Sequence, residues 1–457
     1  MIRFLALAES AAICAAVWGA VVVLAAGPGA VPSAIGPALA VALCTIVSFY
    51  YNDLYDLGAA RTPVAVAARL PQALAIMLVL WAGLQTIWPA LGVPMGPSLA
   101  GVGAVCAAVL VSRTALYLWM RASRVRRVLI LGAGPMAQRL RQQIETQPHR
   151  RLCLVGMLEE PPDVPTMDRM VDQLRPHRIV VALAERRGLL PLDSLVRARA
   201  RGVVVEEAVD LYESLAGRLA IESMRPSSLI FSAEMQKAPA DLAAARALSV
   251  VAAFVGLAFA APLMALLAAA IKLDSEGPVF FRQTRVGWRG RRFTMVKFRT
   301  MRPVREEHSV WAQDNDARIT RMGRVLRKFR LDELPQFFNI LAGHMNLVGP
   351  RPHPEVNYRL FSERIPHYGL REAVRPGVTG WAQIRYTYAN NLEEETEKMR
   401  YDLYYIKHMS VWFDLRILID TVKVVLLGRE SGTSAITQPA VREDATHAAR
   451  RGRDSAA

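Results

Sequence analysis

Apolar positions crowd the first quarter of the chain into long runs almost free of charge, and that pattern predicts helices that cross a bilayer. The runs Leu7–Ala26, Ile35–Tyr51, Leu70–Leu91 and Leu99–Met120 each approach the ~20 residues a crossing helix needs. A buried bundle would need four successive helices apolar on every face, so hydropathy favours spans. The first run is not a cleaved signal, because a second span follows at once. From Arg126 the period changes: Val128–Leu131, Leu152–Leu158, Ile179–Leu183 and Val203–Val205 are short β-branched runs separated by helical stretches. That alternation predicts a parallel α/β sheet. A fifth apolar segment covers Leu248–Ile271. Further on, Tyr401–Ile406 and Val411–Ile419 place apolar and polar residues at helical spacing, which suits either interfacial amphipathic helices or core packing. The polar tail after Gly428 is expected to be disordered.

Charge gives these segments an orientation. The chain carries 56 Lys and Arg against 40 Asp and Glu, a net charge of +16, which calls for anionic partners. With 53% hydrophobic residues, those partners are lipid head groups and phosphorylated small molecules in preference to nucleic acid. Loops 27–34 and 92–98 are uncharged, whereas Arg61 and Arg69 lie between spans two and three and Arg121, Arg124, Arg126 and Arg127 follow span four. The positive-inside rule puts the N-terminus and everything after Met120 in the cytoplasm. A crossing at 248–271 would then export residues 282–330, which hold fifteen Lys and Arg against four Asp and Glu. Pro262, mid-segment, removes a helical hydrogen bond and clashes with the preceding turn. The expected outcome is a re-entrant helical hairpin, broken at Pro262, that enters and leaves on the cytoplasmic face. Cys14, Cys44 and Cys106 fall in separate spans and Cys153 stands alone, so neither zinc nor a disulfide framework is expected.

Several short motifs offer chemistry. Gly132, Gly134 and Ala137 form a G-x-G-x-x-A turn after a strand, with Glu159 and Glu160 ending the next strand where a ribose-binding acid would sit. Such a turn serves either nucleotide binding or close strand-to-helix packing. No Tyr-x-x-x-Lys pair occurs, which disfavours a membrane-anchored nucleotide-sugar oxidoreductase or dehydratase, the rival reading of this region. Asp332 and Glu333 are adjacent inside the cationic run Arg327–Pro335, where neighbouring cations should keep both ionised. Pro335 is placed to open a helix that runs to Gly343. Alone, an acidic pair among arginines is better explained by a solvated salt-bridge cluster. Asp314-Asn-Asp316 is read as a turn, and His344, His353, His367 and His408 as structural.

Residues from about Leu248 to Gly428 resemble the bacterial sugar transferase family, monotopic polyprenyl-phosphate phosphoglycosyl transferases. Six ordered blocks carry the resemblance: Gly277–Gly287 (GPVFFRQTRVG), Phe293–Met301 (FTMVKFRTM), Asp316–Gly323 (DARITRMG), Leu331–Gln336 (LDELPQ), Asn346–Pro352 (NLVGPRP) and Arg375–Gln383 (RPGVTGWAQ). The front of the chain resembles the long members that make exopolysaccharide and O-antigen precursors. The resemblance implies that Asp332 attacks the sugar-bearing phosphate of a UDP-sugar, expelling UMP, and that undecaprenyl phosphate then takes the phosphosugar. It further implies that Glu333, with Asp332, positions Mg²⁺, and that Lys297, Arg299, Arg351, Arg375 and Gln383 contact substrate. The sugar is left open. The expected architecture is a membrane protein of the bacterial inner membrane: a four-helix transmembrane bundle (1–122), an α/β Rossmann-like cytoplasmic domain (123–241), a mainly α catalytic domain with the hairpin at 248–271 and interfacial amphipathic helices (242–430), and a tail (431–457). A homodimer through the middle domain is the expected assembly.

Overall fold

The computed structural model describes residues 31–54, 62–89, 125–147, 151–160, 162–183, 190–221, 237–302, 318–386 and 389–427, with isolated helical positions between 107 and 118. The chain divides into two compact units, Met1–Glu206 and Glu207–Ala457. In the first, α1 (Val31–Tyr51) and α2 (Pro63–Ile87) cover the second and third expected spans. The second of these helices begins earlier than expected because Thr62 accepts a hydrogen bond from the Ala65 amide and Pro63 opens the helix. The two pack through Val41, Phe49, Leu54, Leu70, Met77 and Trp81, and the Ser48 hydroxyl donates to the Ala73 carbonyl. Among the described residues, α2 and the later helix Pro239–Asp274 are long and apolar enough to cross a membrane. The first expected span, most of the fourth, Asp314-Asn-Asp316 and the tail lie outside the described residues.

The expected strands form one four-stranded sheet: β1 (Arg126–Leu131), β2 (Leu152–Leu158), β3 (Arg178–Val181) and β4 (Val204–Glu207), in the order β2-β1-β3-β4. The central strand β1 pairs parallel with both β2 and β3. Helices α3 (Pro135–Thr146), α4 (Val164–Leu174) and α5 (Leu192–Ala200) connect the strands. Strand order reverses beside β1, so the Gly132–Ala137 turn lies at a topological switch point. Gly132 has φ +115°, and a Cβ there would stand 2.8 Å from the Ala182 carbonyl group, so backbone packing alone accounts for this glycine. A Cβ on Gly134 would meet nothing within 4 Å.

The second unit starts with α6 (Ala208–Ala216), grouped with the α/β region in the sequence reading but packed here. Its partners explain why. Arg218 pairs with Glu397, Lys407 with Glu213 at 2.8 Å, and the Trp381 indole donates to the Gly217 carbonyl at 2.8 Å. Helix α7 (Pro239–Asp274) follows, then the antiparallel hairpin β5 (Phe280–Val286) and β6 (Arg292–Phe298). Next come α8 (Arg321–Lys328), α9 (Gln336–Leu341), β7 (Asn346–Val348), α10 (Glu355–Arg364) and β8 (Gly377–Thr379), which pairs parallel with β7. Three helices close the unit: α11 (Trp381–Arg385), α12 (Leu392–His408) and α13 (Val411–Leu427).

The expected hairpin at 248–271 is not what the chain forms: α7 is one uninterrupted helix of 36 residues with Pro262 inside it. Proline costs the Ala258 carbonyl its partner, and packing along the helix offsets that loss. Ala253 lies in a cluster with Phe293, Met295, Ile340 and Met345, while Met264, Leu267 and Ile271 lie in another with Phe298 and Leu326. One stripe of α7 is therefore pinned to the second unit on both sides of the proline. The opposite face is exposed and apolar, with Val251, Phe254, Phe259, Leu266 and Leu273 in solvent contact.

Candidate active site

Asp332 and Glu333 occupy a single 3₁₀ turn, Leu331–Glu333, between α8 and α9. The local sequence dictates this placement. Arg330 takes a left-handed conformation (φ 52°) that stops α8, and Pro335 stands at the N-cap of α9, which is the short helix expected before Gly343. The flanking Leu331 and Leu334 pack against the Met264–Ile271 cluster of α7. The two acids between them are each only 7% exposed, so they are no solvated surface cluster.

Cations from four segments converge on the pair. Arg351, from the Pro350-Arg351-Pro352 segment after β7, donates through Nη1 to Glu333 Oε1 at 2.9 Å and to Gln383 Oε1 at 3.0 Å. Gln383, on α11, also accepts from Arg330 at 3.4 Å. With its carbonyl oxygen turned to two guanidinium groups, its Nε2 points away, buried and without a partner. Lys297, on β6, sits over the Phe281 ring at 5.6 Å and acts on both carboxylates. Arg285, on β5, donates to the Pro352 carbonyl at 2.7 Å and to Gln283 Oε1 at 2.6 Å, leaving its Nε buried and unpaired. The Gln336 Nε2 is in the same state. The unpaired buried donors of Gln383 and Arg285 beside the carboxylate pair suit the binding of an anionic or polar group.

Close backbone approach makes this geometry: a Cβ on Gly377 would stand 2.1 Å from the Gly349 nitrogen, and one on Gly380 2.3 Å from the Gly349 oxygen. Only glycines let β7, β8 and the start of α11 meet there, which brings Arg351 beside Gln383.

The two carboxyls are driven apart electrostatically. Burial, then the neighbouring Glu333, pushes Asp332 up to about 6 in spite of Lys297, Arg351 and Arg327. For Glu333 burial acts the same way, but Arg351, Arg330 and Lys297 outweigh it and hold the carboxyl below its ordinary value. The expectation that cations depress both therefore holds for Glu333 and fails for Asp332, where desolvation wins. Burial, with Arg285 and Arg351 nearby, lowers Lys297 to about 8.

Of the residues expected to contact substrate, Lys297, Arg351 and Gln383 come together around the acids, whereas Arg299 and Arg375 make their contacts elsewhere. Arg299 donates to the Ser275 carbonyl at 2.6 Å and anchors the end of α7. Arg375 donates to the Gly343 carbonyl at 3.1 Å and stacks on Trp288 at 4.2 Å. Arg285, Arg327 and Arg330 act on the pair and were not singled out from sequence, and Gln336 lies buried three residues after it. All of these lie within or beside the motif blocks, but which arginines face the pair is decided only by tertiary packing. His353 is buried, and burial together with Arg371 and Lys398 keeps its imidazole neutral.

No group of three or more metal-binding side chains occurs among the described residues. Asp332 and Glu333 nonetheless fit Mg²⁺, which takes one or two carboxylates and completes its shell with water and substrate phosphates.

A model of the bacterial sugar transferase family matches residues 240–428. The UDP-N-acetylgalactosamine-undecaprenyl-phosphate N-acetylgalactosaminephosphotransferase of Aeromonas hydrophila is 40% identical over 235 residues, 51% of this chain and 55% of that protein. A UDP-glucose:undecaprenyl-phosphate glucose-1-phosphate transferase of Xanthomonas campestris pv. campestris is 48% identical over 170 residues, 36% of this chain and 35% of its own length. The protein of the same name from Caulobacter vibrioides is 46% identical over 184 residues, covering 40% of this chain and 69% of that one. The matched region thus spans about half, or less, of the first two relatives.

Proposed function

The chain belongs to the bacterial sugar transferase family, and we propose that it transfers a sugar-1-phosphate from a UDP-sugar to undecaprenyl phosphate, releasing UMP. The observation that carries this reading is the buried Asp332–Glu333 pair ringed by Lys297, Arg285 and Arg351. Phosphoryl transfer asks for positioning and cationic clamps more than for acid–base groups, and the site supplies those.

In the proposed sequence an Asp332 carboxylate oxygen attacks the sugar-bearing phosphorus. The bond from that phosphorus to the bridging oxygen breaks, and UMP leaves with the electron pair. An oxygen of undecaprenyl phosphate then attacks the same phosphorus, which frees Asp332 and yields undecaprenyl-diphosphosugar. Mg²⁺ held by Asp332 and Glu333 would offset the charge of the diphosphate. Lys297 and Arg285 hold substrate oxygens, Arg351 fixes Glu333, and the unpaired N–H groups of Gln383 supply a further donor. The same names among the relatives support UDP-sugar and undecaprenyl phosphate as substrates.

The apolar outer face of α7 supports a seat on the cytoplasmic face of the inner membrane. A helix pinned along its length to a charged unit is poorly suited to crossing, and well suited to lying in one leaflet with its free face in lipid. Exposed Trp412, Ile419 and Val422 on α13 offer a second contact of the same kind. A panel of UDP-hexoses and UDP-N-acetylhexosamines incubated with membranes holding the protein and undecaprenyl phosphate tests the activity. At least one should release UMP, and Asp332→Asn should reduce that release on the order of 10³-fold or more. Equal release by the variant contradicts the assignment.

A further inference from the structure

A second set of charges is taken out of water behind the acidic pair. Arg371, Glu395, Lys398 and Asp402 are all at most 7% exposed. Arg371 uses every nitrogen: Nε and Nη2 lie 3.0 and 2.9 Å from Asp402 Oδ2, and Nη1 donates to the Tyr368 hydroxyl at 2.7 Å. Its Nη2 also donates to the Arg351 carbonyl at 2.8 Å. Buried ion pairs gain little stability over well-packed apolar residues, so a cluster like this calls for another reason.

The Pro350-Arg351-Pro352 segment supplies one. Its prolines lack N–H groups, so the segment is held mainly through its carbonyls, and all three are bonded. The Gly377 amide donates to the Pro350 carbonyl at 2.9 Å, Arg371 to that of Arg351, and Arg285 to that of Pro352 at 2.7 Å. The only one of these held from α12 is that of Arg351, through Asp402. Its side chain is the one that reaches Glu333 and Gln383.

We propose that Arg371, locked by Asp402, is a positioning residue that fixes the Arg351 backbone and so aims its guanidinium at Glu333. This rests on the transferase reading above. Lysine cannot replace it, having one nitrogen where three partners are served.

The test uses the full-length protein, single-turnover UMP release and a double-mutant cycle. Arg371→Lys and Asp402→Asn should each slow release about 10- to 100-fold, the cost of roughly an ångström's misplacement, with little change in KM for the UDP-sugar. In an Arg351→Lys background either change should add less than about threefold, because both act through the residue already altered. Multiplicative losses, or single variants at the wild-type rate, overturn the proposal, as does failure of both to accumulate as folded protein. Hydrogen exchange over residues 346–353 gives a readout that needs no turnover: it should rise in Asp402→Asn, and unchanged exchange overturns the proposal. Wild-type protein that releases no UMP would contradict the transferase reading, while the exchange result still decides the positioning role.

Discussion

Asp332 and Glu333 are neighbours with equal burial, yet one carboxyl is raised and the other lowered: Arg351 donates to Glu333 and keeps it charged, and that charge adds to burial in raising Asp332. In the proposed mechanism that asymmetry divides their work: Glu333 stays charged and fixed by Arg351, and Asp332 is the proposed nucleophile. Adjacency in the sequence made the pair visible, but their opposite shifts come from burial and from Lys297 and Arg351 on other elements, and could not be read from spacing. Asp414 is another buried acid with a measurable consequence. Burial pushes it up to about 7 even though the Tyr405 hydroxyl donates to it at 2.8 Å. Its unfolded value is about 3.9, so the folded state holds the extra proton between those two values. The associated stability is present at low pH and lost as pH rises through about 7. Asp414→Asn keeps the acceptor oxygen without the charge. Its Tm should gain on the wild type between pH 5 and pH 8; a constant difference would show that Asp414 does not titrate there.

At the scale of elements, the strands and their parallel pairing followed from short β-branched runs separated by helical stretches, because that pattern is local. Helix α7 shows where local reasoning stops. Pro262 signalled a break, but the signal concerns one hydrogen bond, while Ala253, Met264, Leu267 and Ile271 pack on both sides of it. The charge argument that both ends share one side is independent of the break. At ~1.5 Å per residue the helix is roughly 54 Å long, well beyond the ~30 Å hydrocarbon core. In a cysteine-free background, Asp241→Cys and Glu276→Cys should both react with an impermeant thiol reagent only from the cytoplasmic side. Periplasmic labelling at position 276 would make α7 a span. Helix α6 falls within the stretch 123–241 expected to be α/β, and the Glu213–Lys407 and Arg218–Glu397 pairs tie it to α12.

For the whole molecule, the motif blocks contain the acidic pair and three of its neighbours, Lys297, Arg351 and Gln383, and the family match covers the same stretch. What they could not convey is which arginines converge: Arg285 and Arg371 bond carbonyls of the Pro350–Pro352 segment, whereas Arg299 and Arg375 bond those of Ser275 and Gly343. A single arginine looks the same in sequence whether it clamps a phosphate or caps a helix. The central claim is that Asp332 carries the phosphosugar between donor and acceptor, and intact-protein mass spectrometry after incubation with a reactive UDP-sugar and no acceptor tests it most directly. The account predicts a mass increase equal to one sugar phosphate, mapping to the peptide with Asp332, absent in Asp332→Asn and discharged by undecaprenyl phosphate. UMP release with no mass increase, or an adduct that persists in Asp332→Asn, would contradict it.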